Sequence, residues 1–283
     1  MGKSLKSFGQ WRLEENLSNY GFYKRQLKRL VISMFKWSNL PDGISERFIE
    51  ECLYYDGYII FFKATQGPLK GSYVVSKASP YSKNIYNEPT HYKAYSSNMM
   101  INEIVEADNC VLIRNDYLLE GSIQKVNHYA KRISELDKTF DINMQHIKHP
   151  YIITGNENQI SSIKSFYAKF NNGEPYIIVD QKFRDNNDIK VLPTTAENHL
   201  QLIQLLRRDI FNEALTSFGI NNVNVNKKER LITAEADQNN EEIEMNRNAL
   251  YLPRLKAVEE INQKFNLDVT IEINQNYREG VIE

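Results

Sequence analysis

Residues 117–147 read YLLEGSIQKVNHYAKRISELDKTFDINMQHI, and the spacing of their apolar side chains decides the architecture. Leu119, Ile123, Val126, Ala130, Ile133, Leu136, Phe140, Met144 and Ile147 recur on average every 3.5 residues. That is the period of a coiled-coil seam, narrower than the stripe of an ordinary surface helix. The spacing predicts a helix from about Tyr117 to Ile147, roughly 45 Å long at ~1.5 Å per residue. A chain of 283 residues has difficulty covering so long and narrow a seam by itself. A second long helix, or a neighbouring copy, would cover it.

A second rod is predicted downstream, from about Thr195 to Phe218. Thr194 and Glu197 form a capping-box pattern and Gly219 supplies the stop. Leu200, Leu202, Ile203, Leu205 and Leu206 spread over a wide arc, so this helix should be contacted from more than one side. Between the rods, YIIT at 151–154 reads as a strand, 159–170 as a helix and YIIVD at 176–180 as a strand, a βαβ unit opened by Pro150.

Outward from this core, Tyr23, Leu27, Leu30, Val31, Met34 and Phe35 share a face of a helix predicted over 18–37, which Leu40-Pro41-Asp42-Gly43 breaks. Ser45 is placed to cap a second helix ending before Gly57. YIIFFK at 58–63 reads as a buried strand, and 67–114 as short strands broken by Gly, Pro and Ser. At the other end, 221–248 is rich in Asn, Glu and Lys and reads mostly as a polar loop. A helix opened by Pro253 then runs to about Phe265, followed by a strand over 269–273. The class is α+β: the two rods flank the βαβ unit, and the N- and C-terminal parts join in one mixed body.

Composition narrows the function. Hydrophobic residues at 41% and charged residues at 25% suit a packed protein. Lys and Arg number 35 against 36 Asp and Glu, which excludes a protein that grips nucleic acid by broad phosphate neutralisation. Contact with DNA should be weak or confined to a patch. Cys52 and Cys110 fit a reducing compartment without a disulfide framework. No run approaches the ~20 apolar residues of a membrane span, and residues 1–10 lack a signal-peptide centre. The chain is expected to be soluble in the cytoplasm during synthesis.

No P-loop, Cys-x-x-Cys, His-Glu-x-x-His or EF-hand spacing occurs, so no cofactor, metal or nucleotide hydrolysis is expected. His146 and His149 read as surface residues. Glu174 with Asp180-Gln181-Lys182 at a strand end is half of a nuclease pattern, in which carboxylates hold Mg²⁺ and a Lys sits near the attacking water. A Mg²⁺-dependent nuclease is therefore one alternative; a coiled-coil adaptor, from the 3.5-residue period alone, is another. The acidic run Glu235, Asp237, Glu241, Glu242, Glu244 reads as solvated. Lys24, Arg25, Lys28 and Arg29, between the apolar positions of the first helix, could meet nucleic acid or a capsid partner.

Four stretches carry a resemblance. They are Asn226-Lys227-Lys228-Glu229-Arg230-Leu231-Ile232-Thr233-Ala234-Glu235 continuing through Asn239 to Glu244; Phe35-Lys36-Trp37-Ser38-Asn39-Leu40-Pro41 leading to Phe48-Ile49-Glu50 and Gly57-Tyr58; Asn212-Glu213 with Thr216 and Gly219-Ile220; and 256–266 with the strand after it. In this order the chain resembles the portal (upper collar, head–tail connector) proteins of small short-tailed Picovirinae-type phages of Gram-positive bacteria. The resemblance implies a structural protein, not an enzyme: a dodecameric ring at one capsid vertex, through which double-stranded DNA is packaged and ejected.

It implies a wing over 1–116, a stem helix over 117–148, a βαβ clip over 149–192, a second stem helix over 193–219, a channel loop over 220–248 and a wing helix and strand over 249–283. Lys227, Lys228 and Arg230 become the channel-loop cations that touch DNA without sequence preference. The implied partners are copies of itself, the major capsid protein, a separate packaging ATPase, a lower collar or tail protein and a packaging RNA, in the virion and with no membrane. Two departures stand out. Pro193 and Leu202 occupy positions where the family pattern has channel lysines. The N-terminal tail offers only Lys3, Lys6 and Arg12 as contacts for RNA or capsid.

Overall fold

The computed structural model describes residues 8–148, 151–154, 190–193, 199–222 and 233–274. Helix α1 (Phe8–Ile32) leads into strand β1 (Phe35–Ser38), helix α2 (Glu46–Asp56) and strands β2 (Tyr58–Lys63), β3 (Tyr73–Lys83), β4 (Pro89–Tyr95), β5 (Asn102–Glu106) and β6 (Cys110–Arg114). Helix α3 (Ile123–Lys148), strands β7 (Tyr151–Thr154) and β8 (Lys190–Pro193), helices α4 (Leu200–Ser217) and α5 (Thr233–Phe265) and strand β9 (Thr270–Ile273) follow among the described residues. It divides into two units, residues 1–135 with 207–283 and residues 136–206, and α3 and α4 each have residues in both.

In the first unit, β2 to β6 form an antiparallel sheet of order β5-β4-β3-β2-β6. Strand β2 explains why YIIFFK is apolar without alternation. Successive side chains of a strand point to opposite faces, and here both faces are covered. Ile59 and Phe61 enter the larger core with α1 to α5, while Ile60 and Phe62 enter a smaller one with Val74, Ala78, Tyr92, Ala94 and Val105.

Helix α2 has the expected ends. The Ser45 hydroxyl accepts from the Phe48 N–H at 3.4 Å, and Gly57, at φ 82°, donates its N–H to Leu53 O at 3.2 Å. A Cβ at Gly57 would also collide with the Leu119 carbonyl, so glycine is required there both by conformation and by close approach.

Several expectations are corrected. Helix α1 begins at Phe8 and ends at Ile32, and Phe35 and Trp37 lie not on it but on β1, which pairs antiparallel with β9. Phe35 follows Val31 by four residues and Trp37 follows Met34 by three, a helical spacing that hid a strand whose partner is far away in sequence. Helix α3 begins at Ile123; Leu119, at φ 60°, lies in the loop before it. Val126, Tyr129, Ala130 and Ile133 are buried, whereas Leu136, Phe140 and Met144 are half-buried and Ile147 is exposed.

The polar loop expected over 221–248 ends by residue 232, because α5 is helical from Thr233 through Pro253 to Phe265. Among the residues of its first half whose burial is described, Ile243, Arg247 and Leu250 are buried. Proline at 253 imitates a helix start but sits inside the helix, where it has no N–H to donate to the carbonyl of residue 249.

In the second unit β7 and β8 pair antiparallel, Tyr151 opposite Pro193. The helix and strand expected over 159–180 lie outside the described residues, as does the Thr194–Glu197 cap.

Candidate nucleic-acid and assembly surfaces

The segment carrying Lys227, Lys228 and Arg230 leaves the described structure at Asn222 and re-enters it at Thr233, and its base is firmly built. Helix α4 stops at Gly219, φ 74°. The Ile220 N–H closes back on Leu215 O at 2.9 Å. Asn222 Nδ2 donates to Asn212 O and to Thr216 Oγ1, both at 2.9 Å, and Asn239 Nδ2 donates to Asn222 Oδ1 at 3.2 Å. From α5, Arg247 Nε donates to Gly219 O at 2.7 Å and Nη2 to Asn221 Oδ1 at 2.6 Å. Both ends of the basic segment are thus tied to one α4–α5 frame, and charge-assisted bonds of this length are strong ones. Lys227, Lys228 and Arg230 themselves lie outside the described residues, as do Lys3, Lys6, Glu174, Asp180, Lys182 and His149. The side chain of Arg12 is likewise not described.

Beside this frame is a polar cleft of about 460 Å³ lined by Asp209, Glu213, Glu242, Asn222 and Asn239 among others. Glu213 is engaged: Arg132 Nη1 donates to it at 3.1 and 3.3 Å and Tyr129 OH at 3.3 Å, joining α3 to α4. Among the described residues no group of three or more His, Cys, Asp or Glu could hold a metal ion. The acidic run is not a loop. It lies within α5.

The basic face of α1 is only partly available. Lys28 Nζ donates to Glu51 Oε1 and to Tyr55 OH, each at 3.1 Å, and lies 4.8 Å from the Tyr55 ring centroid. It fastens α1 to α2 and is not a free phosphate contact. Burial pulls its pKa down, but the hydrogen bonds to Tyr55 and Glu51 outweigh this and hold it above its ordinary value. Lys24 lies 5.9 Å from the Tyr20 ring centroid. Arg25 and Arg29 are exposed at i, i+4 spacing.

Several large apolar residues are left outside the core. On α4, Leu202, Leu205 and Leu206 are about half exposed, whereas Ile203, Ala214 and Leu215 are buried. The wide arc therefore splits into an inner and an outer side. Further exposed groups sit on the β3–β4 hairpin (Tyr81, Ile85, Tyr86) and before α3 (Tyr117, Leu118).

Sequence reasoning missed a buried polar group formed by Arg254, Glu50, Asn115 and Trp37. The available sign was Glu50 beside Ile49 and Leu53 on the inward face of α2. Both cysteines are buried, and burial pushes each thiol up to about 11. Among the described residues no helix is long and apolar enough to cross a membrane.

The chain matches the family model described as Phage Connector (GP10) over residues 4–278. Among solved structures it is similar to a chain of the portal and tail of native bacteriophage P68, at 16% identity over 97% of this chain and 93% of that chain, TM-score 0.49. It is also similar to an HK97 family phage portal protein from Corynebacterium diphtheriae, at 7% identity over 100% of both chains, TM-score 0.48. A third similar chain comes from the virion of a native gene transfer agent particle, at 9% identity over 91% of this chain and 81% of that chain, TM-score 0.41. With residues 4–278 of 283 matched by one family model, this chain belongs to the phage connector family, a portal/connector subunit that is structural and not an enzyme.

Proposed function

We propose that this subunit closes, with copies of itself, into a dodecameric ring at one capsid vertex of a small short-tailed Picovirinae-type phage of a Gram-positive host, and that double-stranded DNA enters and leaves through the ring. As a phage connector it belongs to the virion, in an oligomeric ring associated with capsid and tail. The observation that carries the reading is the family match over 4–278. The half-exposed leucines of α4 support ring closure, since a neighbouring copy would cover them.

The elements take the family's roles: α3 and α4 as stem, 149–192 as clip, the remainder of the first unit as wing. The short segment between Asn222 and Thr233 is the channel loop, and Lys227, Lys228 and Arg230 are its DNA contacts. A conduit must let the duplex slide, so a few cations that meet phosphates without reading bases suit the task. A frame fixed by Arg247 and Asn222 would hold the two ends of such a loop in place. The major capsid protein, a packaging ATPase and a lower collar protein are the further partners. A packaging RNA would meet the tail at Lys3, Lys6 and Arg12.

The test is the triple variant Lys227→Ala, Lys228→Ala, Arg230→Ala in assembling particles. Rings and filled heads are expected to form, with packaged DNA then lost at a higher rate and the loss less sensitive to salt than in wild type. Failure of the variant to form rings would make these residues structural, and unchanged DNA retention would remove them from the channel.

A further inference from the structure

The β3–β4 hairpin is longer than its sheet requires. Strand β5 pairs with β4 only as far as His91 opposite Glu106, and beyond that register the hairpin continues with Lys83 opposite Pro89 alone. The tip beyond is stiff. Asn84 Oδ1 accepts from the N–H groups of Tyr86 at 2.9 Å and Glu88 at 3.0 Å, and Lys83 Nζ donates to Asn87 Oδ1 at 2.9 Å. Yet this braced turn holds Ile85 and Tyr86 in water, 90% and 79% exposed, with Tyr81 at 62% behind them. Single exposed apolar groups are ordinary. Three on one rigid projection are the makings of an anchor, since buried aromatic and aliphatic knobs dominate interface energies.

The same unit carries a receptacle. A cleft of about 270 Å³ lies between the start of α2 and the start of β3, walled by Ile44, Phe48, Leu69, Val75 and Ile101, with Asp42 among its lining. Phe48 is 41% exposed there. The cleft adjoins Tyr73–Val75 and the tip follows Lys83, so strand β3, eleven residues long, separates them by roughly 30 Å at ~3.3 Å per residue. A subunit cannot fill its own cleft, but a second copy can. Unlike surfaces at opposite ends of one element are what a head-to-tail ring contact needs. Charge agrees: Lys83, beside the knob, matches Asp42 at the hole.

We infer that the Ile85–Tyr86 tip of one subunit seats in the Ile44–Phe48–Val75 cleft of the next copy around the ring. The contact rests on the ring reading above. It is too small to close a ring alone, since stable interfaces bury about 1,200 Å² or more. The leucines of α4 supply area, and the knob fixes the register between neighbours.

A double variant Ile85→Cys, Phe48→Cys in the full chain, treated with a short bismaleimide, tests it. Cys52 and Cys110 are buried and stay silent. A ladder of covalent oligomers is expected under denaturing conditions, absent from each single variant and from Leu118→Cys with Phe48→Cys. Independently, Lys83→Glu is expected to raise the concentration for half-assembly several-fold and Asp42→Lys added to it to restore assembly. Wild-type rings with no ladder, or a ladder only from Leu118→Cys, would overturn the knob contact and leave the ring standing. Absence of wild-type rings would overturn the ring itself.

Discussion

The guanidinium of Arg254 and the carboxylate of Glu50, 204 residues apart in sequence, face each other in a buried bidentate pair, Nε to Oε1 at 3.1 Å and Nη2 to Oε2 at 3.0 Å. Each is 2% exposed. Arg254 also donates to Asn115 O at 3.0 Å, Asn115 Oδ1 at 2.9 Å and Leu250 O at 2.7 Å, and lies 4.6 Å from the Phe35 ring centroid. Trp37 Nε1 completes the carboxylate's partners at 2.9 Å. One cation thus locks α5, α2, β1 and the turn after β6 together.

Removing either partner strands the other in a low-dielectric site, which costs about 3–5 kcal/mol. Arg254→Ala and Glu50→Ala are therefore each expected to lower the denaturation midpoint sharply. The double variant should lose much less than the sum, a coupling that a double-mutant cycle in urea measures. Additive losses would mean that the pair is not the lock.

Gly219 meets two demands at once: φ is 74°, and a Cβ would collide with the backbone of Arg247. Gly219→Ala should destabilise by about 1–3 kcal/mol. Because Arg247 holds the base of the basic segment, proteolysis between 222 and 233 should accelerate in the same variant. Limited digestion followed by mass analysis of the fragments reads this directly.

Much of the first unit was legible because its cues are local. Ser45 and Gly57 bound α2 by side-chain and backbone geometry within the helix itself, and the unbroken YIIFFK announced a strand covered on both faces. What escaped depends on distant partners. Phe35 and Trp37 continue the apolar pattern of α1 well enough to be read as helix, and only β9 makes them a strand. The first half of α5 packs through Ile243, Arg247 and Leu250, too thin an apolar signal to outweigh its Asn and Glu content. Lys28 was readable as a cation but not as the partner of Glu51 and Tyr55. The candidate DNA contacts were found by motif rather than by physics, since three cations in a polar stretch have no distinctive spacing.

Glu51 carries a pH signature. The hydrogen bond from Lys28, with help from the charges of Lys28 and Arg47 and against burial, holds its carboxyl below the ordinary 4.5. Its contribution to stability is present above the unfolded value and disappears as pH falls through the lower folded one. A half-exposed pair of this kind is worth at most about 1 kcal/mol. Glu51→Gln should lower Tm slightly at pH 7, and the gap from wild type should close in acid. A gap that persists at pH 2–3 would indicate lost packing instead.

Cys52 and Cys110, 2% and 4% exposed with thiols pushed up to about 11, should resist alkylation at pH 8 in the native protein. Both should react at once in guanidinium. Rapid native labelling of Cys110 would mean that β6 opens readily from its place between β2 and α5.

The central claim is that these subunits are complete only as a closed ring, and imaging purified full-length protein end-on by negative-stain electron microscopy, with native mass measurement of the same sample, tests it most directly. The account predicts annular particles with a stain-filled hole and a mass that is a single large multiple of 33.1 kDa. A monomer at all concentrations, or an elongated dimer or trimer with no central hole, would contradict it.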